Sequence, residues 1–366
     1  MKIVLMITGL NIGGAETQVC SIADKLYELG NDVTLIYLNG DKEVSPLNEG
    51  VKIIALSMKK TPLGLLSAIK RCRKILLKIK PDVLHSHMVH ANIFSRLLRI
   101  ITPIPIVIST AHNANEGGKL RMLAYRFTNS LADVSTNVSE EALQSFINKK
   151  AMRTERSTVV YNGIDTDKFV YNEESRRFIR EQLHLTNNNF LFLTVGRLTE
   201  QKDYPNLLNA FSVIKGENSN VKLAIIGKGE LEHELKGMVE KLGLSEDIYF
   251  LGARKDVDKI MSACDCFVLP SKYEGFGLVV AEAMSCERVV IGTDCGGVKE
   301  VIGNEGFLVD PEDHIMLADA MQKTIYLDYG ESKIMRHNAR RRIISNYSLD
   351  ATVTKWLELY KDPKRV

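Results

Sequence analysis

The sequence predicts an α/β protein of two Rossmann-like domains in series, each a doubly wound parallel sheet, with a cleft between them. Three observations predict it. The chain has 366 residues, which at roughly 150 residues per domain is enough for two. Short β-branched runs alternate with helix-period segments from end to end, the pattern of parallel strands joined by crossover helices. That alternation breaks once, in a polar stretch without periodicity near 165–189, and then restarts. A composition of 45% hydrophobic and 25% charged residues is ordinary for globular proteins and excludes a disordered, collagen-like or disulfide-scaffold chain.

In the first half the strands read 2–8, 33–38, 51–56, 83–86, 106–110, 134–138 and 158–161, with amphipathic stretches such as 17–29, 65–79 and 140–148 between them. The opening MKIVLMITGL carries one lysine and a short apolar run, and a Gly-Gly-Ala-Glu turn stands where a leader would need its small-residue cleavage site. It reads as the first strand. The second half has strands at 191–195, 222–226, 248–251, 266–270, 289–292 and 306–309, with helices at 205–215, 231–242, 257–263 and 278–285. The tail is helical at 313–326, 331–345 and 351–360, the last holding Trp356, the single tryptophan. The expected domains are 1–166 and 167–347, with a C-terminal helix at about 348–366 returning to the first. In such sheets ligands bind beyond the carboxyl ends of the strands, so the loops there hold the candidate site.

The net charge of +3 hides an asymmetry: residues 1–166 carry 21 Lys+Arg against 14 Asp+Glu, and the remainder 27 against 31. One domain is therefore expected to face an anionic surface or ligand. No basic stripe is interleaved with aromatics, which disfavours nucleic acid. The six cysteines form no C-x-x-C pair and read as reduced core residues of a cytosolic protein. No run approaches the ~18 apolar residues of a membrane span. His85, His87 and His90 are spaced like metal ligands but lack a completing carboxylate or cysteine, so they read as strand-end and loop residues. Asp165-Thr166-Asp167 falls in the linker, and Asp256 of Asp256-Val257-Asp258 reads as a helix N-cap. No metal is expected.

The first loop, Gly9 to Glu16 with Gly13 and Gly14 at its centre, allows close backbone approach at a helix start. No G-x-G-x-x-G fits it, and no G-K-[ST] phosphate loop exists, which weakens a nicotinamide or ATP reading. The strongest constellation is Glu274-Gly275-Phe276-Gly277-Leu278-Val279-Val280-Ala281-Glu282. Its glycines free the amides of a turn that opens a helix, and the helix dipole adds to the attraction for a phosphate. Glu274 lies in the loop. Glu282, two helical turns on within an apolar run, needs a partner if it is buried, and two carboxylates there suit sugar hydroxyls. Upstream, Arg197 after Gly196 and Lys202 five residues later form a fork and a flexible cation suited to a diphosphate.

Together Arg197, Lys202, Gly227-x-Gly229-Glu230, the Glu274/Glu282 pair and Gly296-Gly297-x-x-Glu300 resemble the retaining glycosyltransferases of family 4, which have the GT-B fold. The N-terminal Gly13-Gly14-Ala15-Glu16 and the linker Asn162-Gly163-Ile164-Asp165-x-x-x-Phe169 match the same family, so the resemblance spans both halves. It implies an acceptor-side first domain and a nucleotide-sugar-binding second domain. Arg197 and Lys202 would neutralise the donor diphosphate, with amides of the turn Gly275, Phe276, Gly277, Leu278 and Val279. Glu274 would bind the transferred sugar and Glu282 the ribose. The loop 252–256, with Arg254, would hold the base. Gly13 and Gly14 would approach the diphosphate from the other domain, and His112 would sit near the anomeric carbon. No cofactor is implied beyond the donor substrate, which is UDP-linked by family frequency, with GDP the runner-up. The competing readings are a non-catalytic nucleotide-sugar-binding protein and a phosphorylase, the latter disfavoured by the short chain.

One stretch points to where the protein works. From residue 59 to 80 there are eight Lys/Arg and no acidic residue. Leu65, Leu66, Ile69, Cys72, Ile75, Leu76 and Ile79 recur on one helical face, expected to pack on the sheet, while Lys70, Arg71, Lys74 and Lys78 project elsewhere. A solvated face usually mixes signs, and near an anionic leaflet each cation contributes ~1 kcal/mol. The expectation is a cytoplasmic protein held peripherally on the inner face of the membrane, acting on a polyprenyl-diphosphate-linked or saccharide acceptor in surface polysaccharide or O-antigen assembly.

Overall fold

The structure, a computed structural model, describes residues 1–114 and 116–364, and the elements and absences below are those of these residues. The chain separates into two units, 1–163 with 349–366 and 164–348. The boundary expected after residue 166 thus falls three residues inside the second unit.

The first unit runs β1 (Lys2–Ile7), α1 (Gly14–Glu28), β2 (Asp32–Tyr37), β3 (Lys52–Ala55), α2 (Pro62–Ile79), β4 (Val83–His87), α3 (Val89–Ile101), β5 (Ile106–Ala111), α4 (Gly118–Thr128), β6 (Val134–Asn137), α5 (Glu140–Asn148) and β7 (Ser157–Val159). The sheet is parallel, in the order β3-β2-β1-β4-β5-β6-β7. Its order reverses between β1 and β4, the topological switch point where a crevice opens beyond the carboxyl ends. α1 and the C-terminal helix Leu349–Lys361 share one core with the sheet, through Val19, Ile22, Leu26, Val353, Trp356 and Tyr360. α2 and α3 cover β1 and β4 through Ala68, Cys72, Leu76, Phe94 and Leu98. The helix Leu349–Lys361 is part of the first unit's core, and residues 365 and 366 lie outside those described.

The second unit runs α6 (Glu173–Gln182), β8 (Phe190–Val195), α7 (Tyr204–Glu217), β9 (Val221–Ile226), α8 (Glu232–Lys241), β10 (Ile248–Gly252), α9 (Val257–Ala263), β11 (Cys266–Leu269), α10 (Leu278–Ser285), β12 (Val289–Thr293), α11 (Val298–Ile302), β13 (Phe307–Val309), α12 (His314–Ile325) and α13 (Tyr329–Tyr347). Its sheet is also parallel, ordered β10-β9-β8-β11-β12-β13, with the reversal between β8 and β11. Phe192, Leu207, Phe211, Leu223, Val268, Ile291 and Met321 are among the residues filling its core.

Several expectations need correction. The stretch 165–189 is not irregular: it holds α6, capped by the Asn172 side chain on Ser175 N–H. With charged residues at most of its positions it shows no apolar stripe, and the tie is electrostatic. Arg176 and Arg180 grip Asp265 just before β11, with Arg176 Nη2 at 2.6 Å. Leu65 and Leu66 do not face the sheet; Leu66 is 55% exposed and Leu63 80%, so the first turn of α2 overhangs the core. His90 belongs to α3, not to a loop. Asp256 stands at the N-cap of α9 but makes no capping bond, because Arg254 takes its carboxylate in a two-bond fork of 2.8 and 2.7 Å. All six cysteines are buried and free.

Candidate functional site

In the second unit the two loops at the switch point come together. The turn after β8 carries Gly196 and Arg197 and closes in a single helical turn at Glu200–Lys202. The loop after β11 carries Ser271 to Gly277. They are stitched by Lys272 N–H to the Gln201 carbonyl at 2.9 Å and by Gln201 Nε2 to the Tyr273 carbonyl at 2.9 Å. At their centre Lys202 Nζ ion-pairs with Glu274 Oε1, which also accepts from Ser271 Oγ at 2.7 Å. Both charges are mostly buried, so the pair is held by mutual attraction and by the added hydroxyl. Arg197 is exposed beside them and pairs with no described carboxylate.

Backbone fit fixes the Glu274 loop. Gly296 has φ +54, and a Cβ there would come within 1.9 Å of the Glu274 carbonyl oxygen. Gly227, at φ +148, lies against Gly196, where a Cβ would meet the carbonyl oxygen at 1.8 Å. The glycines the sequence singled out thus let neighbouring strand-end loops touch backbone to backbone. α10 then starts at Leu278 with Gly277 as its N-cap, and the amides of Gly275, Gly277, Leu278 and Val279 donate to no described partner. That leaves donors and a positive helix end beside two cations, an arrangement that attracts an anion.

Glu282 stands apart from the Lys202–Glu274 pair. It lies on α10, half-buried, and its carboxylate hydrogen-bonds to no described residue. Burial pushes its carboxyl up to about 8; Lys168 lowers it and Asp258 adds to the rise. The partner that sequence reasoning demanded for it is not supplied by the described protein. Arg254, expected near the base, spends its fork on Asp256.

The first unit builds a different kind of centre at its own switch point. Gly13 caps α1, and the Glu16 carboxylate folds back over it, so that a Cβ on Gly13 would meet Oε2 at 2.4 Å. Gly14 is exposed and starts the helix. The preceding Ile12 N–H donates to Glu43 at 3.1 Å. His112, directly after β5, is 9% exposed, and its Nε2 lies 3.1 Å from His87 Nδ1 at the end of β4. His87 in turn packs its ring 4.1 Å from that of His85, which bonds Tyr360 and Thr110, each at 2.7 Å. Burial holds these imidazoles neutral: His85 is lowered to about 3, His112 to about 4 and His87 well below its ordinary value. Beneath the His112 loop, Glu116 accepts the His112 N–H at 2.9 Å and the Tyr125 hydroxyl. Arg96 is fully buried with its guanidinium over the Tyr125 ring. Among the described residues no three His, Cys, Asp or Glu side chains cluster as a metal site.

Residues 175–364 match the model of Glycosyl transferases group 1, and residues 12–168 that of Glycosyltransferase Family 4. The chain is a member of the family 4 glycosyltransferases. It is 29% identical over 301 residues, 79% of this chain and 77% of the relative, to the UDP-Gal:alpha-D-GlcNAc-diphosphoundecaprenol alpha-1,3-galactosyltransferase of Escherichia coli. It is 27% identical over 342 residues, 87% of this chain and 86% of the relative, to the capsular polysaccharide biosynthesis glycosyltransferase CapM of Staphylococcus aureus. Among solved structures, HepE of Anabaena in complex with UDP superposes with TM-score 0.88 at 22% identity, over 99% of this chain and 100% of that one. WaaG, a glycosyltransferase of lipopolysaccharide biosynthesis, gives 0.72 at 19% identity, over 96% and 98%. The fold of this glycosyltransferase is GT-B.

Sequence reasoning named His112 but missed what surrounds it in this glycosyltransferase. The alternation His85-Ser86-His87 in a strand was a signal that two imidazoles share one face. Only the register of β4 against β5, which sets His87 opposite Thr110, tells that His112 follows within reach. Ser271 was likewise unmarked in the sequence.

Proposed function

We propose that this glycosyltransferase moves a hexose-type sugar from a nucleotide diphosphate donor, UDP-linked by preference, to a hydroxyl of a lipid-linked or saccharide acceptor, with retention at the anomeric carbon and without a metal. The observation that carries the reading is the Lys202–Glu274–Ser271 cluster beside exposed Arg197 and the open amides at the start of α10. A diphosphate at that helix end meets Arg197, the amides and Lys202, while Glu274 is left to accept sugar hydroxyls. Glu282, ionised, accepts the ribose hydroxyls that relieve its isolation. The base lies by the 252–256 loop. Gly13, Gly14 and His112 are the first unit's own candidates for contact with diphosphate or sugar.

The chemistry follows from those roles. The bond from the anomeric carbon to phosphate oxygen breaks as the acceptor oxygen bonds on the same face, and the departing phosphate takes the acceptor proton. The positive charges stabilise the diphosphate as it leaves, so no protein nucleophile is needed. The E. coli and S. aureus relatives carry names from lipid-linked glycan and capsule assembly, which supports the same setting here. A membrane contact fits it too. α2 bears Lys70, Arg71, Lys74 and Lys78 beside exposed Leu63 and Leu66, and α4 bears Lys119, Arg121 and Arg126 beside Leu120 and Phe127, 84% and 74% exposed. No described helix is long and apolar enough to cross a membrane, so the contact would be peripheral, at the inner leaflet. The test is a panel of UDP-, GDP- and ADP-sugars, scored for nucleotide release with and without acceptor. Release from UDP-sugars that the acceptor accelerates supports the reading; preference for GDP-mannose would redirect it, and binding without any release would make the protein a nucleotide-sugar binder.

A further inference from the structure

We propose that His87 is a positioning residue that fixes the tautomer of His112, so that His112 carries its proton on Nδ1 and offers that N–H, not a lone pair, to its ligand. The proposal rests on the reading above only in taking the sugar donor as that ligand.

The two rings share one hydrogen bond, His87 Nδ1 to His112 Nε2 at 3.1 Å. Burial keeps both neutral, so one proton lies between them and its owner decides both tautomers. If His112 Nε2 were the donor, His87 would accept on Nδ1 and hold its own proton on Nε2. That nitrogen is sealed from solvent and has no partner, and an orphaned buried N–H is rarer in proteins than an under-satisfied acceptor. The reverse arrangement leaves only a bare lone pair at His87 Nε2. His87 is therefore the donor, His112 Nε2 the acceptor, and the His112 proton resides on Nδ1.

The rest of the centre holds His87 in that role. His85 packs against its ring, and is itself held at both nitrogens by Tyr360 and Thr110, with Thr110 tied to Thr136 at 2.7 Å. His112 Nδ1 hydrogen-bonds to no described residue and, unlike His87 Nε2, is not sealed off. An Nδ1–H there suits a sugar oxygen and cannot take a proton. His112 is thereby excluded as a general base for the acceptor.

The test is long-range proton–nitrogen NMR of the intact, histidine-labelled chain, with the His112 signals assigned by their loss in His112→Asn. The expected pattern is a protonated Nδ1 and a bare Nε2 on His112. His87→Asn, whose amide N–H lies near the position of Nδ1–H, should keep that pattern and most of the turnover. His87→Leu should move the His112 proton to Nε2 and lower kcat by ~10-fold or more with donor KM little changed. Trp356 fluorescence checks that each variant folds. Wild-type His112 protonated on Nε2, or an unaltered His112 in His87→Leu, would overturn the proposal. A tautomer that follows His87 while kcat stays constant supports the coupling and removes instead the role given to His112 at the donor.

Discussion

The two units share a parallel-sheet plan but place different groups at their switch points. The first buries three contacting imidazoles in neutral form, and near them a sealed Arg96 and a Glu116 carboxyl pushed up to about 6 by burial. The second sets opposite charges in pairs, as in Lys202–Glu274, Arg176 and Arg180 on Asp265, and Lys215 and Lys222 on Asp247. Glu282, exposed Arg197 and buried Arg288, which donates only to backbone carbonyls, are exceptions. Neutral buried donors and acceptors orient a ligand with little electrostatic pull, whereas paired cations can be redirected to an incoming diphosphate. The difference matches an orienting first unit and a charge-stabilising second one.

The largest effect should come from the second unit's cations. Arg197→Ala or Lys202→Ala should lower kcat by about 10²–10³-fold, or ~3–4 kcal/mol of transition-state stabilisation, with a smaller loss of donor affinity. Equal losses in donor Kd and kcat would mean that these side chains only bind. Gly296→Ala comes next. A Cβ against the Glu274 carbonyl at φ +54 should cost about 1–3 kcal/mol of stability and displace the carboxylate, so thermal unfolding and turnover should fall together.

The pH response should separate the units. Unfolded histidines take up protons below their ordinary value of about 6.5 that the buried ones refuse, so the first unit loses stability as pH falls from 6.5 toward 4. By pH 5.5 that is about 1 kcal/mol per imidazole. Glu116, raised to about 6, and Asp24, also raised by burial, oppose this at low pH, while half-buried His90 adds to the loss. Trp356, buried in the first unit, makes the measurement specific: its denaturant midpoint should drop between pH 7.5 and 5.5. Glu282 acts in the other direction. Its raised carboxyl holds a proton in the folded state that the unfolded chain has released, so it stabilises the second unit near pH 4.5 and that contribution is lost as pH rises toward 8. Glu282→Gln should flatten the loss, and calorimetry at pH 7 should find a proton released on UDP binding, since ribose hydroxyls favour the ionised form. The smallest effect concerns the membrane: reversing Lys70, Arg71, Lys74 and Lys78 should reduce flotation with anionic vesicles at low salt and leave soluble-acceptor turnover unchanged. Equal flotation would end the electrostatic account of α2.

The alternation of strands and helices was legible because parallel strands are buried on both faces and read as short β-branched runs. α6 was not, because arginines that grip Asp265 some 90 positions away look, in one dimension, like a solvated segment. The Glu274 loop was legible from its glycines, which local backbone geometry demands. The His87–His112 bond depends on strand register, and the Arg254–Asp256 fork on a side-chain competition that capping preference alone misjudged.

The account's central claim is transfer with retention, driven by charge in the second unit. It is tested most directly by incubating the intact protein with an α-linked UDP-sugar and an undecaprenyl-diphosphate-linked acceptor, then assigning the anomeric configuration of the new linkage by NMR. The account requires an α-linked product whose formation collapses in Arg197→Ala. A β-linked product, or donor binding with no transfer to any acceptor, would contradict it.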